Sequence, residues 1–435
     1  VPTNDLNNPK IIRAWTFYDW ANSAYSLIIT SAIFPTYYSK LAPDPILFFG
    51  LHISRAAMAS YAIAFSFLVI AFLSPILSSI ADANGNKKSF MKFFCYLGVL
   101  ACLAMFFFDK KWFSSETDFA WYGLICSIIA SIGFCGSIVF YNAFLPEIAT
   151  PEHHDHVSAK GFSMGYLGSV ILMLLCFTFI LLDENLHWNL GTLPARSAFL
   201  AVGVWWILFA QITFNALHET RHETSKLKSP LNKGYLELQK VLQSLSSLSE
   251  LKKFLASFFF YNMGVQTVMY MAIYFASDEL HMQTTELLST VLIIQLVAII
   301  GAMLFSKVSK VKGNKIALII LIVIWIGICI AAYFVRTANE FYVLAFCVGL
   351  VMGGIQSLSR STYAKLLPQT NDTASYFSFY DVCEKIGIVM GTLSFGLVAD
   401  LMNGMRNSTL ALSVYFIIGL LLLFRLKFSF KTNIK

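Results

Sequence analysis

The chain has 435 residues, of which 57% are hydrophobic and 13% charged. Soluble domains carry about 25% charged residues, so a soluble globular fold is excluded, and apolar stretches that recur along the chain are each long enough to cross ~30 Å of hydrocarbon. The net charge of +7 points to nucleic acid only if its placement is ignored, because the basic residues gather between the apolar stretches.

A polar lead from Val1 to Lys10 runs directly into the first apolar stretch. That stretch is too long for a signal-peptide core and no small-residue cleavage site follows it, so no cleaved leader is expected. Spans are predicted near residues 14–40, 56–81, 90–108, 119–146, 158–182, 197–217, 254–277, 287–306, 315–335, 341–367, 374–400 and 408–428. The expected fold class is therefore an all-α membrane protein with twelve transmembrane helices. The longest polar stretch, His218 to Lys253, divides them six and six, giving units 1–217 and 254–435 with a linker at 218–253. Within the linker Tyr235, Leu236, Leu238, Val241, Leu242, Leu245 and Leu248 recur at helical spacing, which predicts an amphipathic helix along the membrane surface. All eight cysteines lie in apolar runs, without metal-ligand spacing within a loop, and read as small buried hydrophobes.

With the N-terminus inside, 22 of the 31 Lys and Arg residues fall on the cytoplasmic side, seven fall outside, and Arg360 and Lys385 lie within spans. By the positive-inside rule both termini are cytoplasmic. Short sequence matches also recur between the halves. Phe17-Tyr18-Asp19 matches Phe260-Tyr261-Asn262, Gly85-Asn86-Lys87 matches Gly313-Asn314-Lys315, and Tyr141 to Glu147 matches Tyr363 to Gln369. They fall in the same order at equivalent positions, so the expected architecture is two pseudo-symmetric six-helix bundles.

That plan is the plan of the major facilitator superfamily, and a local motif resembles it too. The stretch from Ser78 to Lys88 is similar to the superfamily's cytoplasmic loop signature, departing from it at Ser78 and Ala83. The resemblance implies a gating charge network in which Asp82 sits near a helix N-terminus of the opposite half. Gly85 would make the tight turn, while Lys87 and Lys88 would face water. The plainer reading is a basic turn with no gating role. The stretches Phe17–Ser26, Ser158–Ser169 and Gly353–Pro368 together resemble the vacuole-effluxer-like branch of the superfamily. Fungal members of that branch are associated with autophagy and export amino acids from the vacuole. Where that branch often has an acid after the Tyr-Asn pair of the seventh span, this chain has Met263.

Asp19 is the residue that asks most for an explanation, since a charge at the centre of a membrane helix costs at least ~2.5–3.5 kcal/mol. Asp19, Asn22, Ser23, Ser26 and Thr30 recur at steps of three or four and form one polar stripe. The resemblance implies that spans one, four, seven and ten line a central cavity. Their polar residues are Asp19, Asn22 and Tyr25; Tyr141 and Asn142; Tyr261, Asn262, Gln266 and Thr267; and Gln356, Ser357 and Arg360. These are the candidate substrate and coupling residues. Arg360 at matching depth could pair with Asp19 or with Asp381, and Asp19 could equally be a structural salt bridge. Asp381, Glu384 and Lys385 read as a charge cluster within one bundle. His153, His154 and His156 with Asp155 have metal-ligand types but read as a solvated loop, so no metal is expected.

No catalytic constellation and no glycine-rich phosphate loop emerge, so the chain is not read as an enzyme. The expected function is secondary active transport of a small solute, on family resemblance an amino acid or related zwitterion, with a proton gradient in place of a cofactor. An amphipathic substrate such as a lysolipid or drug is the alternative, and a non-transporting receptor is a third reading. The expected partners are the substrate and the lipid bilayer, with no nucleic acid, and a monomer is favoured. The Lys-, Asn- and Ile-rich composition and short loops suggest a bacterial plasma membrane.

Overall fold

The computed structural model describes residues 6–48, 50–219, 230–402 and 404–427. Residues 220–229 of the predicted linker and the end of the last predicted span, at 428, lie outside them. Each predicted span is helical. In chain order they are α1 (Pro9–Ala24) continued by a π-helical stretch (Tyr25–Ile33) and α2 (Phe34–Leu41), then α3 (Arg55–Asn84), α4 (Lys87–Ala104) and α5 (Glu116–Ala143). A short α6 (Leu145–Ile148) precedes α7 (His154–Leu186) and α8 (Leu193–Ala216). The linker carries α9 (Pro230–Ser247). The second half comprises α10 (Ser249–Leu280), α11 (Thr284–Lys312), α12 (Asn314–Phe334), α13 (Ala338–Leu366), α14 (Thr373–Leu401) and α15 (Met405–Phe424).

Among the described residues, ten of these helices are long and apolar enough to cross a bilayer. The predicted first and seventh spans are not among the ten. The first is broken by the π-helical stretch, and α10 carries Asn262, Gln266 and other polar residues along its length. The π turn has a local cause: Pro35 has no N–H to give to the preceding turn, and the Ser31 hydroxyl donates to the Ser26 carbonyl five residues back (3.0 Å). It also rotates the polar stripe predicted for the first span.

Packing repeats between the halves. α1 lies on α7 and α8, as α10 lies on α14 and α15; α3 packs on α5 as α11 packs on α13; and α4 joins α5 and α8 as α12 joins α13 and α15. Contacts across the halves come in matching pairs as well, α3 with α14 and α7 with α11, then α5 with α14 and α7 with α13. α11 and α13 cross closely: a Cβ on Gly353 would stand 2.1 Å from the Ala298 carbonyl oxygen. Only a bare backbone lets helices approach so near.

Helix α9 exists where periodicity placed it, but it packs on α3 and on the start of α14. Val241 is buried there, Lys240 pairs with Asp372 (3.2 Å), and Ser244 bonds the Tyr376 hydroxyl. Leu236 and Leu242 are exposed, so only one edge of its apolar face is used within the chain.

Candidate functional site

Asp19 and Arg360 meet. Asp19 stands on α1 in the first half and Arg360 on α13 in the second, with Arg360 Nη2 3.3 Å from Asp19 Oδ2 and both residues buried. Arg360 spends every N–H on the first half. Nε donates to the Ser158 hydroxyl (2.9 Å), Nη1 to Asp19 (3.3 Å) and Asn142 Oδ1 (3.2 Å), and Nη2 to Asp19 (3.3 Å) and the Ser158 carbonyl (2.9 Å). Its guanidinium carbon lies 4.2 Å from the Phe162 ring centre and 4.9 Å from that of Trp15. The planar fork and its stacking rings are what arginine offers and lysine does not. Tyr141 completes the pair by donating to Asp19 Oδ2 (2.7 Å) while stacking on Trp15 at 4.3 Å.

Two more polar clusters join the halves at the Lys- and Arg-rich ends of the helices. In the first, Gly85 takes a left-handed φ of 63° and ends α3, so the chain turns straight into α4. This places Asp82 against the first turn of α14, accepting from the N–H of Ala374 (3.3 Å) and from the N–H and hydroxyl of Ser375 (2.7 Å each). A carboxylate there answers the orphan amides and the positive end of the helix dipole. Lys87 does not face water. It is buried, paired with Glu147 and with Asp82 (3.7 Å), and donates to the Thr373 hydroxyl (2.8 Å). Its reason is the buried carboxylate pair, which would otherwise be uncompensated. Lys88 donates to the Leu217 carbonyl (2.8 Å).

In the second cluster Asp155, in the first turn of α7, accepts from Lys365 (2.6 Å), Ser309 (2.6 Å) and Asn314 (2.8 Å) of the second half. Asn314 also donates to Thr362 (2.9 Å). This is the loop-to-helix contact of Asp82 repeated with the halves exchanged. The solvated-loop reading of the histidine stretch holds for His153 and His156, which are exposed, and is corrected for His154 and Asp155, which are buried, with His154 Nε2 2.9 Å from the Ala149 carbonyl oxygen. The signal that could have found Asp155 was the repeat, since Gly313-Asn314 matches Gly85-Asn86.

Asp82→Ala is expected to lower the unfolding midpoint of the detergent-purified protein by an amount equivalent to about 1–2 kcal/mol, the scale of a lost helix cap and its dipole interaction. Intrinsic tryptophan fluorescence on heating measures it, and an unchanged midpoint would make the α14 contact incidental.

The remaining candidates divide. Tyr25 turns into the first half, its hydroxyl 2.8 Å from that of Ser131 and its ring near Phe134 and Trp206. Tyr261 does the same in the second half, bonding Ser359 (2.7 Å). Ser357 and Thr267 are buried and bond carbonyls of their own helices. Gln356 does reach across, accepting from the Tyr166 hydroxyl of α7 (2.5 Å). Asn22 is buried, and its Nδ2 has no hydrogen-bond partner among the described residues. Asp381 is not Arg360's partner; it pairs with Lys385 (3.3 Å), which also meets Glu384 (3.3 Å). Gln266 of α10 lies 3.5 Å from both Glu384 and Asn262. Ser158, Tyr166 and Phe162 belong to the site and carried no charge that would single them out in the sequence.

A family model described as "Vacuole effluxer Atg22 like" matches residues 7–432. The chain is 32% identical over 419 residues to the uncharacterized MFS-type transporter YxiO of Bacillus subtilis, covering 94% of this chain and 93% of that one. It is 23% identical to autophagy-related protein 22 of Yarrowia lipolytica, covering 87% of this chain and 77% of that one. Among solved structures it is similar to FucP, a major facilitator superfamily transporter, in its outward conformation, with a TM-score of 0.70 and 14% identity over 97% of this chain and 99% of that chain. The human organic anion transporter MFSD10 matches with a TM-score of 0.72 and 13% identity over 96% and 100%. These two likenesses concern the fold alone.

Proposed function

Because the chain belongs to the vacuole-effluxer Atg22-like family of the major facilitator superfamily, we propose that it is a secondary active transporter moving an amino acid or related zwitterion by alternating access. In this reading the α1–α2 segment and α10 span the membrane along with the ten long apolar helices, making twelve. Residues 1–217 and 254–435 rock as two units joined by the 218–253 linker. The protein sits in a bacterial plasma membrane with both termini inside.

The observation that carries the reading is the set of Arg360 bonds, all five of which cross from one half to the other. With the Asp82 and Asp155 clusters they close the Lys- and Arg-rich end, which in this reading is the cytoplasmic side. Rocking to the other state must break all three. Proton coupling gives a way to begin. A proton on Asp19 removes the negative charge that holds Arg360 and converts an acceptor of both guanidinium nitrogens into a donor, so the latch weakens. Binding of substrate on the opposite side would then have less to overcome.

The amphipathic-substrate reading has one observation in its favour. A cleft among the helices of the second half is lined by apolar groups, including Val268, Phe275, Ile328, Leu344, Val348 and Leu412. It lies away from the Arg360 latch, and the polar groups at the interface favour the zwitterion.

Counterflow of radiolabelled amino acids into proteoliposomes, with and without an imposed pH gradient, tests the proposal. Wild type should accumulate label and respond to the gradient. Asp19→Asn should retain exchange but lose that response. Undiminished pH dependence in the variant would remove Asp19 as the coupling group, and no exchange of any amino acid in wild type would remove the substrate class.

A further inference from the structure

Arg360 has no N–H left for a ligand, and Asp19 Oδ2 already accepts from Arg360 and Tyr141. The pair is built as a fastening, and a second group of charges stands available for the charged end of a zwitterion. The repeat says where to look. Asn262 occupies in α10 the place Asp19 occupies in α1, and α10 packs on α14 as α1 packs on α7. α14 carries Asp381, Glu384 and Lys385, and Glu384 meets Gln266, one turn along α10 from Asn262.

This second centre is assembled differently from the latches. Carboxylates of the Asp82 and Asp155 clusters are held at 2.6–2.8 Å by most of their partners. Here Lys385 stands 3.3 Å from both acids, and Gln266 stands 3.5 Å from Glu384 and from Asn262. Two carboxylates share one ammonium, so with both ionised the centre would carry one negative charge in excess. Asp381 Oδ2 is buried with no hydrogen-bond partner among the described residues, and so is the Nδ2 of Asn262, a residue only 5% exposed. Gln266 Nε2 faces both Asn262 Oδ1 and Glu384 Oε1, which puts the Asn262 side chain beside this centre. An unmet acceptor and an unmet donor in one buried centre are what a ligand carrying both a donor and an acceptor would satisfy. Glu384 supplies the access, its side chain 23% exposed against 5% for its two neighbours.

The centre also looks across the interface. Lys385 lies 5.7 Å from the Phe67 ring centre of α3, so a ligand seated here would face the first half as well.

We propose that Glu384 and Asp381 form the subsite that takes the ammonium group of the substrate, with Asn262 Nδ2 donating to an acceptor of the same substrate and Lys385 holding the two acids in place. This rests on the zwitterion reading above. It makes Glu384 the substrate-contacting acid and leaves Asp19 to the conformational step.

The test is binding, measured as thermal stabilisation and by calorimetry on the purified full chain. The probes are twenty L-amino acids, their N-acetyl forms and the corresponding decarboxylated amines. Variants are Glu384→Gln, Asn262→Ala and Asp19→Asn, each first checked for a single gel-filtration peak. For an amino acid that binds wild type, the N-acetyl form should fail. Glu384→Gln should weaken binding at least tenfold, Asn262→Ala should weaken it several-fold, and Asp19→Asn, which frees the latch, should not weaken it. Equal affinity in wild type, Glu384→Gln and Asn262→Ala would overturn the subsite while leaving the zwitterion reading intact. If Glu384→Gln does not fold, the Asn262→Ala affinity and the N-acetyl comparison decide alone. Binding of simple amines but of no amino acid, lost in Glu384→Gln, would keep the ammonium subsite and overturn the zwitterion reading. No binding of any probe to wild type would overturn both.

Discussion

Arg360→Lys is expected to lower the unfolding midpoint sharply and to abolish amino-acid counterflow, although the charge is kept. Lysine has three donors on a flexible stem and cannot span Ser158, Asn142 and Asp19 together, as the guanidinium does. At least one or two charge-assisted hydrogen bonds are lost, at about 1.5–3 kcal/mol each, and the stacking against Phe162 and Trp15 goes with them. Arg360→Ala should be worse, about 3–5 kcal/mol, because it leaves Asp19 buried and unpaired. Adding Asp19→Asn to Arg360→Ala should recover part of that loss. A double variant as unstable as the sum of the singles would mean that the two residues act independently.

Gly161→Ala is expected to disturb the same latch without touching a charge. A Cβ on Gly161 of α7 would stand 2.4 Å from Asp19 Oδ2 and 2.9 Å from Arg360 Nη2. One methyl group must therefore push the ion pair apart or shift α7 from α1. Overpacking of this kind costs about 1–3 kcal/mol, and here it falls on a charge pair whose geometry matters. Gly327→Ala on α12 is the control, since nothing lies within 4 Å of its added Cβ and alanine favours the helix by about 0.5–1 kcal/mol. Loss of counterflow in Gly161→Ala with normal behaviour in Gly327→Ala would assign the effect to the latch. Wild-type stability and transport in Gly161→Ala would show that the pair tolerates displacement.

Much of this was legible in the sequence because it is written in local pattern. Twelve apolar stretches gave the helices to within a few residues, and the matched dipeptides gave a repeat that reappears as matched helix pairings. Depth left Asp19 and Asp381 both open as partners of Arg360, because all three sit a few turns from the Lys- and Arg-rich end of their helices. What was hidden depends on three-dimensional direction. Tyr25 and Tyr261 stand among the polar residues of their spans yet turn inward, the first beside a π-helical stretch that no 3.6-residue period anticipates. Lys87 read as a surface lysine because a short basic turn between spans normally faces water, and only the packing of Glu147 and Thr373 around it shows otherwise. Asp155 was obscured by its histidine neighbours, while its partners Ser309, Asn314 and Lys365 lie more than 150 residues away. Ser158 holds two of the five Arg360 bonds, and serines are too common in such helices to be singled out.

The account turns on whether the Lys- and Arg-rich end opens when the latch is released. Spin labels on cysteines at Glu152, just before α7, and at Val311, near the end of α11, would report the distance between the halves there. Both positions are exposed, and the native cysteines are buried or half-buried. Wild type without substrate should show one short distance. Asp19→Asn should add a longer population, which grows when the amino acid identified by binding is supplied. One unchanged distance in wild type and variant, at pH 5.5 and 7.5 and with or without that substrate, would contradict alternating access through this latch.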